Sequence, residues 1–324
     1  MTLPLAPASS GRVRAVLDTD TFNEVDDQFA LAHLLLSPLR VQLEAVYAAP
    51  FHNSRSSGPE QGMERSYEEI MRVLAAMEGK TPGTTEGTRV PVYRGSRQWL
   101  PDAKTPVESE AARHLVELAM APAPAAPRPV AGEDPAQPAV WASDKLYVVA
   151  IGAPTNVASA LLMEPRIAER IVVVWLGGNA PYWRTAKEFN LQQDLHASRI
   201  IVDVTAPLVL VPCLPIASNV HTTVAELETH LAPYSALGEY LTNIVRSYDK
   251  NKPGWSKVIW DIAATAWIID HTWSFGDALP SPALLDDMTW RNDPGRPTAT
   301  IINWVKRDPV FADFFAKCKA LGKE

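Results

Sequence analysis

The chain is poor in several features that would point to particular classes of protein. It has only two cysteines, Cys213 and Cys318, far apart in the sequence, so neither a disulfide framework nor a zinc ribbon is indicated. No apolar run approaches the roughly 18 residues that a membrane span needs, and the first residues lack the charged segment and apolar core of a signal peptide. We therefore expect a soluble, cytoplasmic protein.

Basic residues are also scarce relative to acidic ones. The 324 residues include 30 Lys and Arg against 37 Asp and Glu, a formal net charge of −7, and no basic run occurs. This balance argues against nucleic acid or an anionic membrane as a partner, although local groups of acids can still hold a cation. Apolar residues are plentiful at 47%, enough for the core of one large α/β domain or two small ones.

Short apolar runs alternate with segments of helical periodicity along most of the chain. Strands are predicted at 13–17, 43–49, 146–151, 171–176 and 208–211. Helices are predicted at 26–36, 59–77, 107–120, 154–163, 224–230, 235–248, 259–269 and 309–321. This alternation is typical of an α/β fold with a mostly parallel central sheet and helices on both faces, in which ligands bind beyond the carboxyl ends of the strands.

The Pro- and Ala-rich stretch at 121–140 has the composition of an interdomain linker. The same strand and helix pattern resumes after it, so we interpret it as an insertion. The sequence therefore predicts a single domain that spans 1–324.

Four aspartates follow the first predicted strand within ten residues: Asp18, Asp20, Asp26 and Asp27. Their mutual repulsion has to be offset by a positive charge, and no Lys or Arg lies between 18 and 28. A divalent cation is the natural partner, and an all-oxygen ligand set suits Ca²⁺ or Mg²⁺ rather than zinc. The ordinary alternative is that Asp26 and Asp27 cap a helix and that Asp18 and Asp20 are solvated loop acids.

Further motifs follow the aspartates in a fixed order: Val149-Ala150-Ile151-Gly152, Gly177-Gly178-Asn179, Glu188-Phe189-Asn190 and Trp260-Asp261. As a set they resemble the inosine-uridine nucleoside hydrolase family, which opens with a strand followed by Asp-x-Asp and Asp-Asp. Three residues separate the two acidic pairs in that family, whereas five, 21–25, separate them here. The resemblance implies a Rossmann-like fold and hydrolysis of the N-glycosidic bond of ribonucleosides, which gives ribose and free base.

The resemblance also implies roles for individual residues. Asp20, Asp27, Asp261 and the Ile151 carbonyl would hold a Ca²⁺ ion, with Mg²⁺ less favoured, and Asp20 would also act as the general base toward a water molecule. Asp18 is expected just behind these ligands. The residues expected to bind the substrate are Asp26, Asn53, Asn179, Glu188, Asn190 and Trp260.

Two of these assignments have an ordinary alternative. Glu188 and Asn190 stand two apart and would share one face of an extended segment, but the same residues also suit a helix cap or turn. Asp261 precedes an apolar helix, where a lone Asp is usually a cap. Its place after the other motifs favours the ligand role.

Trp260 stands where many family members have a histidine that is proposed to protonate the leaving base. A tryptophan there resembles the purine-preferring branch, in which it stacks on the base; the alternative is a buried core aromatic. No residue in the sequence clearly replaces the missing acid. Other candidates for the base pocket are Trp183, His221, Tyr240 and Trp255.

Three other functions are consistent with parts of the sequence: hydrolysis of another ribosyl compound, a phosphatase activity, and binding without catalysis. Because the histidine is missing, the substrate is either a purine nucleoside or another ribosyl compound. Asp18-Thr19-Asp20-Thr21 also resembles the opening of a haloacid dehalogenase-type phosphatase, although that pattern usually has Thr or Val in place of Phe22. A nucleoside- or sugar-binding protein on a degenerate hydrolase scaffold is disfavoured because a binder has no need of Asp20 as a base. Relatives are commonly dimers or tetramers, so the resemblance implies a homo-oligomer.

Overall fold

The computed structural model describes residues 5–77, 90–130, 132–134, 139–248 and 253–322. The strands are β1 (Arg12–Thr19), β2 (Val41–Ala48), β3 (Val92–Arg94), β4 (Trp141–Ala150), β5 (Ile171–Leu176), β6 (Leu208–Val211), β7 (His221–Thr222), β8 (Lys257–Val258), β9 (Ser274–Pro280), β10 (Ala283–Leu284), β11 (Trp290–Arg291) and β12 (Thr298–Val305). The α-helices are α1 (Asp27–Leu35), α2 (Pro59–Ala76), α3 (Glu110–Met120), α4 (Thr155–Met163), α5 (Phe189–Gln193), α6 (Leu195–Asp203), α7 (Val224–His230), α8 (Ala236–Tyr248), α9 (Ile262–Ile269) and α10 (Arg307–Leu321). Short 3₁₀ helices occupy Pro165–Glu169, Ala217–Asn219, Ala232–Tyr234 and His271–Trp273.

Eight strands form one sheet in the order β3-β2-β1-β4-β5-β6-β12-β9. All neighbours in it are parallel except β12 and β9, which pair antiparallel at one edge. Successive side chains of β1 pack on opposite faces of the sheet. Ala15 and Leu17 belong to the core with α1 and α9, whereas Val16 belongs to the core with α3 and α4. The predicted single-domain α/β fold with a mostly parallel sheet and helices on both faces is therefore confirmed.

The antiparallel edge is the main part of the sheet that periodicity did not predict. Residues of β9 alternate poorly between apolar and polar types and include Gly276, Asp277 and Pro280. Phe275 and Leu279 of this strand remain about half exposed, so the strand lacks the continuous apolar run that marks a buried strand. Its place in the sheet depends on pairing with β12 rather than on its own sequence.

The described part of the Pro- and Ala-rich segment 121–140, which we predicted to be an insertion, lies at the amino ends of the strands. The guanidinium group of Arg12, the first residue of β1, donates a hydrogen bond to the Arg128 carbonyl and forms an ion pair with Glu133. The insertion is thus packed against the end of the sheet opposite to the one where ligands are expected. Residues 131 and 135–138 of the insertion lie outside the described residues.

None of the helices within the described ranges has both the length and the apolar character to cross a membrane.

Candidate active site

A cavity of about 430 Å³ opens at the carboxyl ends of the parallel strands. It is lined by segments that follow β1, β2, β4, β5 and β6 in the chain, together with residues at the end of α8 and just before α9. The lining residues are Asn23, Glu24, Asp26, Asn53, Ile151, Leu176, Asn179, Lys187, Glu188, Phe189, Asn190, Cys213, Leu214, Tyr248, Trp260 and Asp261. Every predicted substrate-binding residue is among them, as are the predicted metal ligands Ile151 and Asp261.

The four aspartates of the first motif are buried, and Asp26 lines the cavity. β1 ends at Thr19, so Asp20 begins the following turn and does not continue the strand beside Asp18. Gly152 lets the turn after β4 approach closely, because a Cβ there would lie 3.0 Å from Asp20 Oδ1. The acids predicted from one short stretch are thus brought against a second loop, the one that carries Ile151.

Five buried carboxylate oxygens have no hydrogen-bond partner in the described part of the chain: Asp18 Oδ2, Asp20 Oδ1 and Oδ2, Asp26 Oδ1 and Asp27 Oδ2. The other oxygens of Asp18 and Asp27 are bonded to Asn156 Nδ2 at 2.7 Å and Thr19 Oγ1 at 2.5 Å. Buried acceptors without partners are costly. The grouping of such acids around Asp26, at the cavity wall, fits a cation with oxygen ligands.

The helix-cap alternative for these acids is wrong for Asp26 and Asp261. Each occupies the residue before a helix, α1 and α9 respectively, but neither side chain makes a capping hydrogen bond. The solvated alternative is wrong too, because both Asp18 and Asp20 are fully buried. These carboxylates are therefore not explained by the local needs of the backbone.

Carboxylate oxygens of Asp26, Asp27 and Asp261 lie within 4.8 Å of one another, a spacing that fits a shared metal ion. Asp26 and Asp261 are close enough to share a side-chain hydrogen bond, which requires a proton on one of them. This group of three includes Asp26, which we predicted to bind ribose. It does not include Asp20, a predicted metal ligand, although Asp20 lies near enough to be repelled by both Asp27 and Asp26.

The electrostatics of the cluster follow from burial. Burial raises the pKa of Asp18 to about 7, of Asp26 to about 8 and of Asp27 to about 6. The pKa values of Asp20 and Asp261 also lie well above the ordinary range, because burial is reinforced by repulsion from Asp27 and Asp26 respectively. A divalent cation among these groups would favour their ionised forms and lower their pKa values.

Lys257 lies near the cluster and was not predicted from the sequence as a site residue. Lys257 of β8 is buried, and its Nζ lies 3.2 Å from Glu24 Oε2 and 4.0 Å from Asp26 Oδ1. Tyr248 donates its hydroxyl to the same Glu24 carboxylate. No local pattern signals this group, since Lys257 is more than 200 residues from the acids that it faces.

The Glu-Phe-Asn motif is not the extended segment that its spacing suggested. Glu188 is the N-cap of α5, and its carboxylate accepts hydrogen bonds from three backbone N–H groups, those of Gly178, Asn190 and Leu191. Asn190 Nδ2 donates to the carbonyls of Ile151 at 3.1 Å and Leu176 at 3.0 Å. The motif therefore fixes the loops after β4 and β5 at the cavity, and the cap alternative describes Glu188.

Asn179 and Asn53 line the cavity while also holding loops. Asn179 Nδ2 donates to the carbonyls of Thr185 and Lys187, and its Oδ1 accepts from the Leu214 N–H at 3.1 Å. Asn53 Nδ2 donates to the Asn23 carbonyl at 3.1 Å. Both side chains stand at the cavity wall with most of their hydrogen-bonding capacity already used.

Trp260 is half-buried and lines the cavity, so it is not a fully buried core aromatic. Its backbone N–H donates to Asp26 Oδ2 at 3.2 Å. Four other candidates for the base pocket, all within the described residues, do not line this cavity: Trp183, His221, Tyr240 and Trp255. The aromatic side chains that do so are those of Phe189, Tyr248 and Trp260.

Comparisons with known proteins agree with the fold and identify the family. The model of the family described as inosine-uridine preferring nucleoside hydrolase matches residues 15–307. No curated protein sequence gives a significant match.

Solved structures share the fold over nearly the whole chain. A plant nucleoside hydrolase superposes with a TM-score of 0.66 at 18% identity, covering 95% of this chain and 99% of its own. A purine-preferring ribonucleoside hydrolase from Gardnerella vaginalis gives 0.63 at 18%, covering 96% and 99%. An inosine-uridine preferring nucleoside hydrolase from Bacillus anthracis gives 0.61 at 16%, covering 95% and 99%.

The mostly parallel α/β sheet with buried carboxylates at the carboxyl ends of its strands, taken together with the family match, thus defines an enzyme of the hydrolase class. More particularly, the chain belongs to the inosine-uridine preferring nucleoside hydrolase family, because the family match spans nearly its whole length. This membership sets aside the phosphatase interpretation of Asp18-Thr19-Asp20-Thr21.

Proposed function

We propose that the protein hydrolyses the N-glycosidic bond of ribonucleosides with the help of a Ca²⁺ ion. The observation that carries this proposal is the set of five buried carboxylate oxygens without partners beside a cavity large enough for a nucleoside. Asp20, Asp27, Asp261 and the Ile151 carbonyl would hold the ion, and Asp18 would support them from behind. When bound, the ion would lower the pKa of an adjacent water and contact the ribose hydroxyls. Mg²⁺, which demands stricter geometry, fits this mixed set less well.

Asp20 is the residue best placed to take a proton from that water. Among the described residues, both of its oxygens lack a well-formed hydrogen bond, whereas Asp18 and Asp27 each have one oxygen engaged. As the water oxygen bonds to C1′, the C1′–N bond breaks and its electron pair passes to the base, which takes a proton from solvent. Asp20 holds the proton that the water loses.

Ribose binding is assigned to Asp26, Asn53, Asn179, Glu188 and Asn190. Asp26 presents an oxygen to the cavity side of the cluster, and a sugar hydroxyl would satisfy it. Glu188 already accepts three backbone N–H groups, so its share in sugar binding is one remaining acceptor position, alongside its role in shaping the loop. These contacts would favour the flattened, oxocarbenium-like sugar of the transition state.

The proposed base preference is for purines. Trp260 lines the cavity beside Asp26, where its indole ring is available to stack on a base. A purine offers the larger face for such stacking.

The proposal is tested by ribose release from inosine, guanosine, adenosine, uridine and cytidine in the presence of Ca²⁺. We expect turnover, with purines favoured, and a loss of about a thousandfold or more in kcat for Asp20→Asn, which keeps the shape of the side chain but removes the base. Asp144→Asn, at the opposite end of β4 and exposed, is the matched control and should retain activity. Calcium and nucleoside binding without ribose release would instead support the binding-protein alternative.

Two further expectations are kept as proposals. The chain assembles as a homodimer or homotetramer, and it works in the cytoplasm. Sedimentation velocity measures the first, and cell fractionation measures the second.

A further inference from the structure

Lys257 places a buried positive charge at the edge of the acid cluster. The residue is 4% exposed, and its Nζ donates to the Val258 carbonyl at 2.6 Å, lies 3.2 Å from Glu24 Oε2 and 4.0 Å from Asp26 Oδ1. Buried lysines are rare unless they have a specific partner. This one has two carboxylates in reach, and they belong to the same loop.

We propose that Lys257 is a positioning residue that acts as a fixed countercharge to Asp26. Because of this charge, Asp26 binds the sugar, and the metal ion is bound by Asp20, Asp27 and Asp261. The inference rests on the function proposed above and explains how four neighbouring carboxylates divide between two tasks.

The partners of the carboxylates support this division. Asp26 accepts the Trp260 N–H at 3.2 Å on Oδ2, and its Oδ1, which has no hydrogen-bond partner among the described residues, lies 4.0 Å from Lys257 Nζ. Within the described part of the chain, neither oxygen of Asp20 nor Oδ2 of Asp27 has a well-formed hydrogen bond. By distance alone Asp26 belongs with Asp27 and Asp261 as a metal-binding group. Unlike Asp20, Asp27 and Asp261, however, it forms an ion pair with a basic side chain among the described residues.

The position of Glu24 explains why a lysine is needed here. Glu24 lies in 21–25, the segment that is two residues longer than the family pattern, and it adds a negative charge next to Asp26. Without a cation, Glu24 and Asp26 would repel each other in a partly buried site, and Glu24 would raise the pKa of Asp26 further. Lys257 bridges the two.

A simpler role for Lys257 would be to tie the lengthened loop to β8 through Glu24. The two roles predict different effects on calcium. A loop tie is broken equally by Lys257→Met and by Glu24→Gln, so both variants would weaken the site. A countercharge gives effects of opposite sign, because the first variant removes a positive charge from the cluster and the second removes a negative one.

The experiment titrates chelator-treated, full-length protein with Ca²⁺ by isothermal calorimetry and measures KM and kcat for inosine separately. For Lys257→Met we expect a calcium Kd lower by about tenfold or more, together with a KM for inosine higher by about tenfold or more, because Asp26 turns toward the ion. Glu24→Gln should raise the calcium Kd. Lys257→Arg, which keeps the charge, should return both constants to near the wild-type values.

Equal or weaker calcium binding by Lys257→Met would overturn the proposal, as would matching effects of Lys257→Met and Glu24→Gln. Should Lys257→Met fail to fold, Lys257→Gln takes its place, because the amide keeps a donor for Glu24 and loses the charge: a lower calcium Kd supports the countercharge, and an unchanged or higher Kd overturns it. Calcium binding is read without any substrate, so failure of the wild-type enzyme to turn over nucleosides would count against the proposed function and leave this result standing.

Discussion

At the scale of single residues, the acids of the site are distinguished by what touches them. Asp18 is bonded to Asn156, Asp27 to Thr19, and Asp26 to the Trp260 N–H, whereas neither oxygen of Asp20 has a well-formed hydrogen bond among the described residues, although the Asn23 side chain lies near. A carboxylate with two such oxygens can both hold an ion and accept a proton. Partner geometry therefore supports the proposal that Asp20, among carboxylates of similar burial, is the general base.

The motifs predicted most of these residues because each acid is close to another in the sequence. Asp18, Asp20 and Asp27 stand out as a cluster before any folding is considered. Lys257 and Tyr248 did not stand out, since a lone lysine or tyrosine is usually a surface or packing residue. They reach Glu24 only once β8 and α8 have packed beside the loop after β1.

Trp260→Ala tests the base preference. We expect kcat/KM for inosine to fall by about tenfold or more, because stacking of a base on an aromatic ring is worth about 1–3 kcal/mol, and the loss for uridine to be smaller. Trp260→Phe keeps a ring and should recover part of the activity. Equal losses for inosine and uridine in steady-state assays would contradict a stacking role and point to disturbance of Asp26 through the neighbouring backbone.

At the scale of elements, the loop between β5 and α5 is held by polar side chains that the sequence analysis assigned to substrate. Glu188 caps α5 and Asn179 pins the loop at three points. The five-residue α5 is too short to show helical periodicity, so spacing alone suggested an extended segment there. The residues of this motif were predictable, but their local geometry was not.

Glu188→Gln tests this scaffolding role. The amide offers one oxygen in place of two, and its NH₂ group would face a backbone N–H that now donates to a carboxylate. We expect the free energy of unfolding to fall by about 1–3 kcal/mol, measured by urea denaturation. Glu108→Gln, which removes an exposed ion pair with Arg113, should change it by less than about 1 kcal/mol. A Glu188→Gln protein of unchanged stability but raised KM would assign Glu188 to substrate alone.

At the scale of the whole molecule, the alternation of apolar strands and helices was enough to predict the sheet that gathers these loops. Parallel strands carry their carboxyl ends to one edge, so motifs separated by a hundred residues meet there. The insertion joins the opposite end of the sheet through Arg12, Arg128 and Glu133. Composition indicated an insertion but could not place it, because its contacts are made by scattered charged residues.

The pH dependence of stabilisation by calcium follows from the raised pKa values. In the metal-free fold Asp18, Asp26 and Asp27 titrate at about 7, 8 and 6, above the ordinary value for the unfolded chain. The folded chain thus binds more protons, so these groups lower its stability as pH rises from about 4 to 8. Calcium competes with those protons and should stabilise more strongly at high pH.

We expect the gain in Tm on adding Ca²⁺ to chelator-treated protein to be larger at pH 8 than at pH 5. Comparing loaded and chelated samples at each pH cancels groups outside the site, such as His33, whose pKa is lowered by burial. An equal gain at both pH values would mean that the ion does not replace protons on these aspartates. Scanning fluorimetry over this range measures the difference.

The proposed function requires that the buried carboxylates hold the ion on which nucleoside hydrolysis depends. The most direct measurement follows ribose release from inosine while free Ca²⁺ is raised from chelated levels, with bound calcium counted in the same samples. Activity should rise from near zero and saturate as one ion binds per chain, and Asp20→Asn should remain inactive at saturation. Full activity in the chelated protein, or saturation with calcium without ribose release, would contradict calcium-dependent hydrolysis at these carboxylates.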